Sequence, residues 1–222
     1  MKILIFFVCL FSSSILFAMG ARLPKKLNQS KIISTRSPSS TYSPTPTLPG
    51  DYSYLDKDKM VPKHLLSQAI SFFEQLKDKI KNKNYLVVID YKQHNSKERF
   101  FVIDMISGHT EKYLTAHGKN SDPDYDGFAT KFSNEPNSLM TSLGVYLTAE
   151  TYIGSHGLSL SLDGLSSSNS NARARAIVIH GASYVAPGEK IGRSWGCPAL
   201  ELRFTEEVIN KIKGGALIFA GF

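Results

Sequence analysis

Cysteine, tryptophan and long apolar runs are scarce in this 222-residue chain, which has two cysteines and one tryptophan. An apolar stretch from Ile3 to Phe17 follows Lys2 and ends in the small residues Ala18, Gly20 and Ala21. That is short for a membrane span, which needs about 20 residues, and it has the three parts of a secretory signal cleaved after Gly20. Residues 1–20 are therefore expected to be a signal peptide, with no integral span left after cleavage. Cys9 lies inside the stretch beside Phe7 and Val8, which excludes a lipoprotein signal. Its removal leaves Cys197 alone, so no intramolecular disulfide is possible. A solitary exported thiol is a buried bystander, an intermolecular partner or a reactive group. Acidic residues are also in deficit, 19 against 26 basic ones, for a net charge of +7. The excess favours anionic partners, yet no recognition helix or aromatic RNA-binding motif is present, and nucleic acid is not expected.

What the chain does contain is enough for one globular domain: 42% hydrophobic and 20% charged residues. Residues 21–56 are basic and then rich in Ser, Thr and Pro, with RSPSSTYSPTPTLPG from Arg36 to Gly50. Such a segment buries too little apolar surface to offset its ordering entropy and reads as a tether. The domain is expected over 57–222. Pro62 opens a helical pattern over about 62–82, in which Leu65, Leu66, Ala69, Ile70, Phe73, Leu76 and Ile80 share a face.

From Asn84 the period becomes that of strands. YLVVIDY (85–91) and RFFVIDMIS (99–107) are rich in aromatic and β-branched residues, with a turn at Ser107-Gly108 into EKYLTAHG. Residues 119–127 read as a solvated loop. Its Asp122, Asp124 and Asp126 lack the glycine and terminal glutamate of a calcium loop. Further strands are expected at 128–134, 142–152, 158–165 and 174–181, then a short helix capped by Thr205 with Glu206 and Glu207 in its first turn, then a closing strand, ALIFAGF. The fold class is mainly β with flanking α-helices, a mostly antiparallel sandwich or barrel.

The stretch Arg175–Leu200, RAIVIHGASYVAPGEKIGRSWGCPAL, holds the chemistry. A cysteine nucleophile needs a base, a group to orient the base and N–H donors for the oxyanion. His180 ends an apolar run, where a strand edge would hold it, and Cys197 follows 17 positions later. Gly196 permits close approach, so that the amides of Gly196 and Cys197 can face one acceptor, while Trp195 is placed to wall the site. Read singly, a strand-end histidine is a polar terminus and a lone cysteine is core filler. Together they favour an enzyme.

The motif RAIVIHGASYV…IGRSWGCPAL resembles the L,D-transpeptidase catalytic domain family, in its murein L,D-transpeptidase variant branch. The resemblance extends upstream through FVIDMISG, AHGKNSD, FATKFSN and SLGVYLTAETYIGSHGLSLSLDGL. It implies His180 as base, Cys197 as nucleophile, Ser194 at the hydroxyl position, Gly196 before the thiol, and a backbone carbonyl, that of Gly181, orienting the imidazole. His117 and His156 lie on segments that the resemblance places near the site, as substrate-lining candidates alongside Trp195. Zinc binding by the three histidines is disfavoured, because their loop contexts lack paired ligand spacing. The implied activity is acyl transfer on peptidoglycan stem peptides through a Cys197 acyl-enzyme, with hydrolysis of the same bonds or non-catalytic wall binding as alternatives. It needs no metal or organic cofactor and belongs in the periplasm or cell envelope. The chain departs from the family at Trp195, where a histidine is usual, and at Pro198-Ala199-Leu200, where Asn and Arg commonly follow the cysteine.

Overall fold

A computed structural model describes residues 50–222. The signal-peptide reading of 1–20, and the tether reading up to residue 49, lie outside the described residues. Residues 50–56 do not continue a tether. They turn and pack, with Leu55 and Asp56 buried. The Tyr54 hydroxyl donates to the Met105 carbonyl (2.6 Å), and the Asp56 carboxylate accepts from Met60 and Val61 N–H.

The first helix, α1 (Lys63–Gln75), buries Leu65, Ala69, Ile70 and Phe73, as its apolar face requires. It ends at Gln75 rather than running to 82, because the chain must turn toward the sheet. The Lys81 and Asn82 amides donate to the Gly215 carbonyl instead of continuing the helix, while Ile80 stays buried beneath the turn.

Eight strands follow: β1 (Tyr85–Asp90), β2 (Glu98–Asp104), β3 (Thr110–Leu114), β4 (Gly144–Gly154), β5 (Gly157–Gly164), β6 (Val178–Ala182), β7 (Leu200–Glu201) and β8 (Leu217–Gly221). The second helix, α2 (Leu202–Ile212), lies between the last two. They form one sheet in the order β3-β2-β1-β8-β4-β5-β6-β7. Pairings are antiparallel except β1 with β8 and β6 with β7. An isolated antiparallel bridge, Thr115 to Leu200, joins the ends of the two outermost strands, so the sheet curls back on itself as a nearly closed barrel. One face packs on α1 through Leu86, Val88 and Phe101; the other packs on α2 through Val87, Ile89, Ile179, Val208 and Ile209. Each of these side chains contributes on the order of 2 kcal/mol by leaving water.

Three local expectations are corrected. Residues 128–134 form no strand. Their aromatic and β-branched composition suggests one, but the Thr130 and Lys131 amides both donate to the Ser121 carbonyl. Thr205 does not cap α2. It sits inside the helix with its hydroxyl on the Glu201 carbonyl at 2.7 Å, and Glu201 takes the cap position. The loop after His117 is not wholly solvated, since Asp122 is buried.

Candidate active site

The turn bearing Cys197 is clamped on both flanks by one segment, residues 115–119. Before the cysteine, the Ser194 amide donates to the His117 carbonyl and the Lys119 amide to the Ser194 carbonyl, both at 2.8 Å. After it, the Ala116 amide and the Thr115 hydroxyl both donate to the Ala199 carbonyl, at 3.0 and 3.1 Å. Ser194 closes the turn from within. Its hydroxyl donates to the Cys197 carbonyl at 2.7 Å and accepts from the Gly196 amide at 3.0 Å. Gly196 has φ +126°, and a Cβ there would stand 2.7 Å from the Met140 carbonyl, so a side chain is excluded by dihedral and space together.

His180 lies on β6, which pairs in parallel with β7 so that Gly181 is opposite Leu200. Cys197 stands three residues before Leu200, in the turn that leads into β7. The strand that carries His180 thus borders the turn that carries Cys197. The thiol hydrogen points at the Ala176 carbonyl, 3.7 Å away, and no direct hydrogen bond joins sulfur to imidazole.

The imidazole is buried, and its Nδ1 lies 2.9 Å from the Gly181 carbonyl. A carbonyl only accepts, so Nδ1 carries the proton and Nε2 is left as the basic nitrogen. Gly181 also allows α2 to approach, since a Cβ there would meet the Thr205 hydroxyl at 2.8 Å. Exposed His156, from the β4–β5 turn, stacks on His180 with ring centroids 4.4 Å apart and planes inclined at 24°. Burial depresses the His180 pKa, the Gly181 carbonyl opposes this, and a charge on His156 adds to the depression. Burial raises the Cys197 pKa, against the Val178 amide and the Arg175 charge. Both shifts favour the neutral forms, thiol and imidazole.

His117 is no substrate-lining residue. It is fully buried, which keeps its ring from any accessible surface. Its Nδ1 accepts from Arg99 Nη2 at 3.0 Å and its Nε2 faces the Asp122 carboxylate at 3.3 Å. Burial, reinforced by Arg99, lowers its pKa to about 4. Arg99 is itself fully buried and bonds the Thr115 and Gln93 carbonyls. This polar spine fixes the clamping segment 115–119. Arg99 escapes sequence reading because its partners, apart from His117, are main-chain carbonyls, which leave no motif. Trp195, by contrast, is 75% exposed next to the thiol turn. A surface cavity lined by Lys97, Glu98, Lys112, Glu201 and Arg203 contains neither Cys197 nor His180.

The fold and this constellation define a mostly antiparallel, curled β domain that carries a histidine on β6 and a cysteine in the turn before the neighbouring β7. Residues 57–220 match the model of the L,D-transpeptidase catalytic domain, and the chain belongs to that family. No curated protein matches the chain. Solved structures that resemble it include an L,D-transpeptidase from Mycobacterium tuberculosis H37Rv, at 16% identity and TM-score 0.42 over 63% of this chain and 58% of that one. L,D-transpeptidase 3 from Mycobacterium tuberculosis matches at 15% and 0.42, over 63% and 61%. The helical cell shape determining protein Pgp2 (K307A mutant) from Campylobacter jejuni matches at 14% and 0.39, over 72% and 56%. The matched portion thus spans less than two thirds of each of these chains.

Proposed function

We propose that the protein is an exported cysteine acyltransferase that acts on peptidoglycan stem peptides in the periplasm or cell envelope. The observation that carries this reading is the parallel β6–β7 pairing, which sets Gly181, next to His180, opposite Leu200, three residues after Cys197. Membership of the L,D-transpeptidase catalytic domain family and the basic balance of the chain support it.

In this reading His180 Nε2 takes the thiol proton as sulfur attacks the carbonyl of the third stem residue. The tetrahedral oxyanion collapses, the bond to the terminal D-residue breaks, and the imidazolium returns its proton to the departing amine. An acceptor amine then attacks the thioester, His180 takes a proton from it, and the thiol is restored. The Gly196 amide is committed to Ser194. Of the two amides expected to face the oxyanion, that of Cys197 is therefore the one left to serve, since it donates to no protein group among the described residues. Trp195 and His156 are the accessible side chains on either side of the pair and are assigned to contact with the stem peptide.

Incubating the purified domain with tetrapeptide muropeptides and a supplied amine tests the reading. Cross-linked product in the wild type and none with Cys197→Ala is expected. Release of the terminal residue without cross-linking assigns hydrolysis instead, and equal binding of wall material by both proteins with no turnover reduces the domain to a wall-binding module.

A further inference from the structure

Arg175 lies in the turn that leads into β6, and every hydrogen-bond acceptor of its guanidinium is neutral. Nη1 donates to the Ser133 carbonyl and the Ser142 hydroxyl, each at 2.7 Å. Nη2 donates to the Met140 carbonyl at 2.6 Å and the Ser138 hydroxyl at 3.2 Å. The same Nη2 would stand 3.3 Å from a Cβ on Gly196, so the cation is packed directly against the residue before Cys197. The cation's hydrogen-bond partners are neutral dipoles that leave the charge uncompensated, and Glu135, on the same segment, is the one carboxylate that acts on it. A thiolate formed beside it meets that charge.

The other ionisable groups that act on the sulfur are phenols. Tyr91, Tyr146 and Tyr184 come from β1's C-terminal end, β4 and the loop after β6, and burial raises all three, Tyr184 to about 12. They are neutral at physiological pH. Of these four groups Arg175 alone carries charge there, and burial favours the neutral form of the proposed base, His180.

We propose that Arg175 is a positioning residue for the nucleophile: its guanidinium pins segment 133–142 over the Gly196 turn and supplies the positive field in which Cys197 becomes a thiolate. This rests on the reading of Cys197 as nucleophile. It also locates a cation for a turn whose following residues, Pro198-Ala199-Leu200, provide none.

The test is the pH dependence of Cys197 alkylation by iodoacetamide, followed by intact mass on wild type, Arg175→Gln and Arg175→Lys, with folding checked by circular dichroism. Opposite charges near a titrating group move its pKa by about one unit or more. Arg175→Gln is therefore expected to raise the alkylation midpoint by about one pH unit, roughly tenfold less thiolate at a fixed pH below it. Arg175→Lys is expected to restore most of it. An unchanged midpoint in folded Arg175→Gln overturns the proposal. Should that variant fail to fold, Ser138→Asp keeps the loop anchored and pairs the guanidinium; a raised midpoint supports the proposal and an unchanged one overturns it. Alkylation reports on the thiol whether or not Cys197 turns over substrate, so failure of the proposed function shows separately, as activity retained by Cys197→Ala.

Discussion

His156 lies flat against His180, with ring centroids 4.4 Å apart, so the proposed base is covered on one face by a second, exposed imidazole. A proton on His156 opposes a proton on His180, adding to the effect of burial. His156→Phe keeps an aromatic cover and removes that charge. The His180 pKa then rises, and the acid limb of kcat/KM is expected to move to higher pH by less than about one unit. A pH–rate profile of the variant checks this; a limb that stays in place or moves to lower pH contradicts it.

His117 gives an independent signature in stability. Its pKa falls from 6.5 unfolded to about 4 folded, because burial and Arg99 disfavour the charged ring. A depressed folded pKa stabilises the protein fully above the unfolded value, and the contribution is lost as pH falls through 6.5 toward 4. Urea midpoints of the wild type should fall over that window. With His117→Asn the protein should be less stable at pH 7 but show a shallower decline, the remainder coming from His180 and, at the acid end, from the carboxylates of Asp104, Asp122 and Glu150, which are held below their ordinary range. Equal slopes in the two proteins would sink the assignment.

Gly196→Ala meets two obstacles, the dihedral of +126° and the Met140 carbonyl at 2.7 Å. The expected cost is about 1–3 kcal/mol in stability. Alkylation of Cys197 and turnover should fall together, because the turn that aims the thiol must shift. Chemical denaturation and alkylation rates measure the two effects.

Trp195 should behave in the opposite way. With 75% of its surface exposed it contributes little to packing, so Trp195→Ala should change stability by no more than about 0.5 kcal/mol. If it contacts the stem peptide, KM should rise severalfold while the midpoint of thermal unfolding stays in place. Unchanged KM removes it from the binding surface.

Much of the fold is legible because period and composition agree: β1, β2 and β8 are apolar runs with β-branched residues, and β5 alternates leucine with serine, all bounded by turn residues. β7 is not. Two residues, Leu200 and Glu201, carry no period, and they are strand only because they meet Gly181 and Ala182. The segment 128–134 looked like a strand because its side chains suit one, although its amides bond elsewhere. Cys197 and His180 stood out as residue types whose chemistry is scarce and complementary. Arg99, Asp122 and Arg175 did not, since a buried ion looks like any surface charge until its neighbours are known. His117 is a case of the same kind: the resemblance sets it among substrate-lining candidates, while tertiary packing seals it between Arg99 and Asp122.

The central claim is that Cys197 carries the acyl group and His180 delivers it. Wild-type protein mixed with a tetrapeptide muropeptide, quenched and digested, should yield a thioester on the peptide containing Cys197 with loss of the terminal stem residue. His180→Ala should form it far more slowly and Cys197→Ala should form none. Release of that residue at the wild-type rate by Cys197→Ala would contradict the claim.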